Sequence, residues 1–119
     1  MPHVTLVEDD ALVRKLLEKR LCMAGWTVRA LPDGRELLDR LAEEGTDLLL
    51  VDVGLPHMDG LELVERVRSA GFTMPVLVLT AFELPHLHAI VRGMGGDDLV
   101  RKPYDQEELI DRMRRLLAA

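Results

Sequence analysis

Short apolar runs alternate with longer amphipathic stretches five times along this chain, and few architectures accommodate that rhythm. His3 to Val7 reads as a strand. Ala11 to Ala24 reads as a helix with Val13, Leu16, Leu17, Leu21 and Ala24 on one face, stopped by Gly25. Trp26 to Leu31 is a second, less apolar strand suited to an edge, and a turn at Pro32-Asp33-Gly34 leads into a helix from Gly34 to Glu43. Asp47 to Val51 and Pro75 to Leu79 are nearly continuous apolar runs, the pattern of strands covered on both faces. Gly60 to Ala70, Pro85 to Met94 and Asp105 to Leu117 read as helices, with Leu109, Ile110, Met113, Leu116 and Leu117 inward on the last. Leu99 to Arg101 is a short fifth strand. Five β-α units in succession predict an α/β fold with a doubly wound parallel sheet and right-handed crossovers.

Three helix starts repeat one device: Asp33-x-x-Glu36, Asp59-x-x-Glu62 and Asp105-x-x-Glu108. An Asp at the N-cap accepts from orphan amides, and a Glu three residues on favours the first turn. Repeats, low-complexity tracts and long linkers do not occur in the 119 residues, so the expectation is a single domain over 1–119. Aromatic residues are only 3%, which leaves the core to Leu, Val, Ile, Ala and Met. The formal charge of −6 makes direct nucleic-acid binding by this domain unfavourable. No apolar run is long enough for a membrane span, and Met1-Pro2-His3 shows no signal-peptide pattern. With the lone Cys22, these features lead to an expected cytoplasmic location.

Ligands of open α/β sheets bind beyond the carboxyl ends of the strands. The first strand delivers Glu8, Asp9 and Asp10 there, the third Asp52, the fourth Thr80 and Ala81, and the fifth Lys102 and Pro103. Taken singly, each is an ordinary cap, turn or surface residue. Together they are chemically complementary. Clustered carboxylates attract Mg²⁺ or Mn²⁺, with Asp9 and Asp52 as direct ligands and Glu8 acting through water. A carboxylate is a competent nucleophile toward phosphorus. Lys102 neutralises phosphoryl charge, the Thr80 hydroxyl donates to a phosphoryl oxygen, and Ala81 leaves room beside it. His3, His57, His86 and His88 lack compact metal-ligand spacing, and no P-loop pattern occurs.

The matching segments are Val4-Thr-Leu-Val-Glu8-Asp9-Asp10, Val51-Asp52-Val-Gly-Leu-Pro56-His-Met-Asp59-Gly60, Pro75-Val-Leu-Val-Leu-Thr80-Ala81 and Gly95-Gly-Asp97-Asp98-Leu-Val-Arg-Lys102-Pro103-Tyr104. Through them the chain resembles the receiver domain of two-component response regulators over essentially its whole length. The resemblance implies a flavodoxin-like (βα)5 fold with strand order 2-1-3-4-5. It implies that Asp52 takes a phosphoryl group from a sensor histidine kinase or phosphotransfer protein, and that an output domain or partner protein responds. It further implies Mg²⁺ at Asp9, Asp52 and the backbone carbonyl of Gly54 with Glu8 nearby, phosphoryl contacts from Thr80 and Lys102, and a cis peptide at Lys102-Pro103. Such a domain is a regulatory phosphoacceptor, not an enzyme acting on other substrates.

Three departures stand out. Leu99 occupies the position of the family's switch aromatic. Pro85, His86 and His88 are unusual in the helix that often responds to activation. The positions of His88 and Met94 lack the charges through which family members commonly dimerise, although Asp97, Asp98, Glu108 and Arg112 remain, so dimerisation stays open. Two competing readings follow. An aspartyl-nucleophile phosphatase of the haloacid-dehalogenase type wants Asp-x-Asp, and here the second position is Gly54. A pseudo-receiver that binds partners without phosphorylation is favoured only by Leu99.

Overall fold

The computed structural model describes residues 1–53, 60–81 and 85–118. Its sheet is built from β1 (His3–Val7), β2 (Thr27–Leu31), β3 (Leu48–Asp52), β4 (Val76–Thr80) and β5 (Asp98–Arg101). All pairings are parallel and the order is β2-β1-β3-β4-β5. The helices are α1 (Ala11–Met23), α2 (Leu37–Glu44), α3 (Gly60–Ser69), α4 (Leu87–Gly93) and α5 (Gln106–Ala118).

Interior β3 and β4 are buried along their full length, as their apolar runs require, whereas edge strand β2 alternates between exposed and covered residues. Successive side chains take opposite faces of the sheet. Leu49 and Val51 join Val76 and Val78 in a core covered by α2, α3 and α4. Leu48 and Leu50 join Leu77 and Leu79 in a second core under α1 and α5, where Leu109, Ile110 and Met113 are all buried.

Two expectations need correction. Leu16 is 54% exposed, as is neighbouring Leu12 at 68%. The face of α1 that meets the sheet is the narrow stripe Val13, Leu17, Leu21, spaced by four, and Leu16 lies about 100° around the helix from Leu17. The second concerns α2, which starts at Leu37 and not at Gly34, with Glu36 at its N-cap making no side-chain cap bond. The Asp33 carboxylate is consumed locally instead. It accepts from the Arg35 amide and Nε, each at 3.0 Å, which closes a turn ahead of the helix. Asp105 does cap α5, accepting from the Glu107 amide at 3.0 Å, while Asp59 lies outside the described residues. Among the described residues the best-formed cap is Asp10, which accepts from Leu12 and Val13 amides at 2.9 and 3.0 Å. It lacks the Glu three residues on, so the repeated pattern does not reveal it.

Candidate functional site

Register decides which strand-end residues meet. β1 pairs Val7 with Val51, so Glu8 follows beside Asp52. β4 and β5 pair Thr80 with Arg101, so Lys102 lies one step beyond, where its amide donates to the Thr80 carbonyl at 2.7 Å. The Lys102-Pro103 peptide is cis.

The Lys102 ammonium donates to Asp52 Oδ2 at 2.7 Å and lies 3.9 Å from Glu8 Oε2. Ligand oxygens of Glu8, Asp9 and Asp52 all fall within 4.8 Å of one another. Asp9 is exposed, Asp52 and Thr80 are buried, and Glu8 is only 1% exposed. Glu8 Oε1 accepts from the Asp10 amide at 3.1 Å, whereas Oε2 is buried with no hydrogen-bond partner. Burial first, then the adjacent Asp52 carboxylate, pushes the Glu8 carboxyl up to about 8 from an ordinary 4.5. Half-buried Tyr104, on the loop after Lys102, has its phenol pushed up by burial and then by the charges of Glu8 and Asp52.

An orphaned buried carboxylate oxygen is costly unless something satisfies it. Here it sits in a cluster of hard oxygen donors, the donor set that suits Mg²⁺. The residues present therefore fit a divalent cation. Gly54, whose carbonyl is the remaining expected ligand, lies outside the described residues, as does His57. Ala81 is exposed at the end of β4.

Gly60 explains how α3 can start so close to the site. A Cβ there would meet the Asp52 carbonyl oxygen at 2.7 Å and Val53 Cα at 2.8 Å, both backbone atoms. Leu99 is 3% exposed, buried with Val78, Leu87 and Val91 under α4. His86 and His88 are exposed, and His86 takes a left-handed conformation with φ of 60°. His3 belongs to the opposite end of the sheet, beside Thr27 and Asp47. The charges left near the α4 and α5 surfaces are engaged within the chain: Asp97 with Arg68 at 2.9 Å, and Asp98 and Glu108 with Arg112 at 3.0 and 3.5 Å.

Sequence reasoning passed over Arg14. Its Nη1 donates to the carbonyl oxygens of Glu8 and Asp9 at 3.0 and 3.4 Å. A signal was present, because a cation near a helix N-terminus opposes the macrodipole and has to be compensated locally.

Comparison with known proteins agrees with this fold. Residues 4–114 match the family described as the response regulator receiver domain. The chain is 40% identical over 115 residues to the response regulator MprA of Mycolicibacterium vanbaalenii, covering 97% of this chain and 50% of that protein. MprA of Mycobacterium tuberculosis is also 40% identical, with the same coverage. The chain thus spans about half the length of the curated relatives it matches. Among solved structures, the chemotaxis protein CheY4 of Vibrio cholerae superposes with a TM-score of 0.90 at 30% identity, covering 98% of both chains. The BeF3-activated N-terminal receiver domain of Klebsiella pneumoniae RstA gives 0.91 at 29% identity, covering 98% of this chain and 99% of that one. With the fold, the strand-end constellation and these matches in agreement, the chain belongs to the response regulator receiver domain family.

Proposed function

We propose that Asp52 is the phosphoacceptor of a single receiver domain spanning 1–119, and that phosphorylation depends on a divalent cation, Mg²⁺ or Mn²⁺. The observation that carries this reading is the buried Asp52 carboxylate paired with Lys102 at 2.7 Å inside the Glu8, Asp9 and Asp52 cluster. In the reaction an Asp52 oxygen attacks phosphorus, a P–O bond forms, and the P–N bond to the donor histidine breaks as the imidazole leaves. Lys102 moves from its ion pair with the free carboxylate to a phosphoryl oxygen, and Thr80 donates its hydroxyl to another, with the small Ala81 leaving space. Asp9, Asp52, the Gly54 carbonyl and Glu8, the last through water, would hold the cation. When bound, it neutralises phosphoryl charge and lets an anionic donor approach the carboxylates.

The donor in this reading is a sensor histidine kinase or phosphotransfer protein, and the responder an output domain or partner protein in the cytoplasm. Family membership and the length of the relatives support that assignment. The net charge of −6 supports a domain that does not itself bind nucleic acid. Intact mass after incubation with a small-molecule phosphodonor and Mg²⁺ tests the proposal. Wild type gains one phosphoryl group, whereas Asp52→Asn and chelator-treated wild type gain none. Phosphorylation of Asp52→Asn at Asp9 or Asp10 would refute the assignment, and an unreactive wild type would favour a pseudo-receiver.

A further inference from the structure

We propose that Arg14 is a positioning residue for the divalent cation site, acting through the backbone of the loop that carries Glu8 and Asp9. The proposal rests on the reading of Glu8, Asp9 and Asp52 as that site. Glu8 and Asp9 follow β1 directly, and only Asp10 separates Asp9 from α1. The loop is tied at each step. The Glu8 amide donates to the Leu31 carbonyl at 3.0 Å, the Asp10 amide to Glu8 Oε1 at 3.1 Å, and the Asp10 side chain caps α1. Beyond the sheet ladder, the carbonyls of Glu8 and Asp9 face one guanidinium nitrogen of Arg14. A single donor shared by consecutive carbonyls sets the orientation of the peptide between them, and with it the direction in which the two carboxylates leave the chain. Arg14 itself is held in register, because its amide donates to the Asp10 carbonyl at 2.8 Å. The positive end of the α1 macrodipole disfavours a cation here, the first turn contains no acidic residue to offset it, and the loop carbonyls supply acceptors for the guanidinium instead.

Charge and positioning make opposite forecasts for the loss of this side chain. Removing a nearby positive charge would tighten the binding of a cation. Loss of an outer partner that orients ligands weakens it, commonly by about 10- to 100-fold. Calorimetric titration of Mg²⁺ into the stripped full chain therefore separates the two. We expect Arg14→Ala to bind about tenfold more weakly, and Arg14→Lys, which keeps the charge and one donor group, to fall between it and wild type. Lys15→Ala removes a neighbouring exposed charge without any bond to the loop and should leave affinity unchanged or slightly tighter. Urea unfolding in chelator identifies variants that are folded. If Arg14→Ala is not, Arg14→Lys carries the test and should bind about threefold more weakly on the same scale. Affinity equal to or tighter than wild type in the folded variant overturns the proposal and leaves the cation site standing. A wild-type chain that binds no Mg²⁺ overturns the cation site and the role of Arg14 with it.

Discussion

Lys102 and Asp52, 50 positions apart in sequence, meet at 2.7 Å where β5 and β3 end, and the same ammonium lies 3.9 Å from Glu8 Oε2. The ammonium thus bonds one buried carboxylate and stands near a second carboxyl group whose outer oxygen it does not satisfy.

Removing that cation should leave Asp52 as an uncompensated charge. A fully buried pair loses about 3–5 kcal/mol when one partner is deleted. Lys102 is about one-third exposed, so solvent screening reduces the expected loss for Lys102→Met to roughly 1–2 kcal/mol. Adding Asp52→Asn should recover most of it, since the stranded charge is gone. A urea double-mutant cycle measures this coupling, and strictly additive losses would show that the pair carries no net interaction.

Glu8 gives the metal-free protein an unusual pH dependence. Its folded carboxyl holds a proton up to about pH 8, whereas the unfolded chain releases it near 4.5. Between those values the folded state binds more protons, so stability falls as pH rises through the window. Melting temperatures in chelator should decline from pH 5 toward pH 8 relative to Glu8→Gln. Mg²⁺ should reverse the trend, because cation binding expels the proton. Parallel pH profiles for wild type and Glu8→Gln would contradict this account.

Gly60 and Gly93 make a matched pair. Gly60→Ala drives a Cβ into the backbone at Asp52 and Val53, and should cost roughly 1–3 kcal/mol while displacing the end of β3. Gly93, the last residue of α4, has nothing within 4 Å of its added Cβ. Gly93→Ala should therefore stabilise by about 0.4–1 kcal/mol. Denaturant midpoints read both, and a neutral Gly60→Ala would mean that α3 does not need this approach.

Leu99 is already buried with Leu87 and Val91, so the conformational response expected on phosphorylation is a repacking under α4 and not the swing of an exposed ring. A switch responds only through contacts that differ between its states. The contacts proposed to differ are those of Thr80 and Lys102. Amide exchange with a stable phosphoryl mimic should change protection between Ala81 and Arg101, including β5. Unchanged protection there with the mimic demonstrably bound would exclude this segment as the responding region.

The sequence by itself determined the order of strands and helices and the burial of β3 and β4, because continuous apolar runs have no other low-energy place than between two helical layers. It also announced Glu8, Asp9, Asp52, Thr80 and Lys102, since each ends an apolar strand at the edge where such sheets bind ligands. Tertiary structure alone decided what depends on neighbours distant in sequence or on competing local bonds. Asp33 satisfies itself on Arg35 and delays α2, and Leu16 misses the narrow contact stripe of α1. Arg14 reaches back to the acidic loop, and Glu8 is desolvated enough to hold a proton near neutrality. Periodicity reports which face a residue takes; register, desolvation and the choice among several available hydrogen-bond partners arise only when the strands are laid side by side.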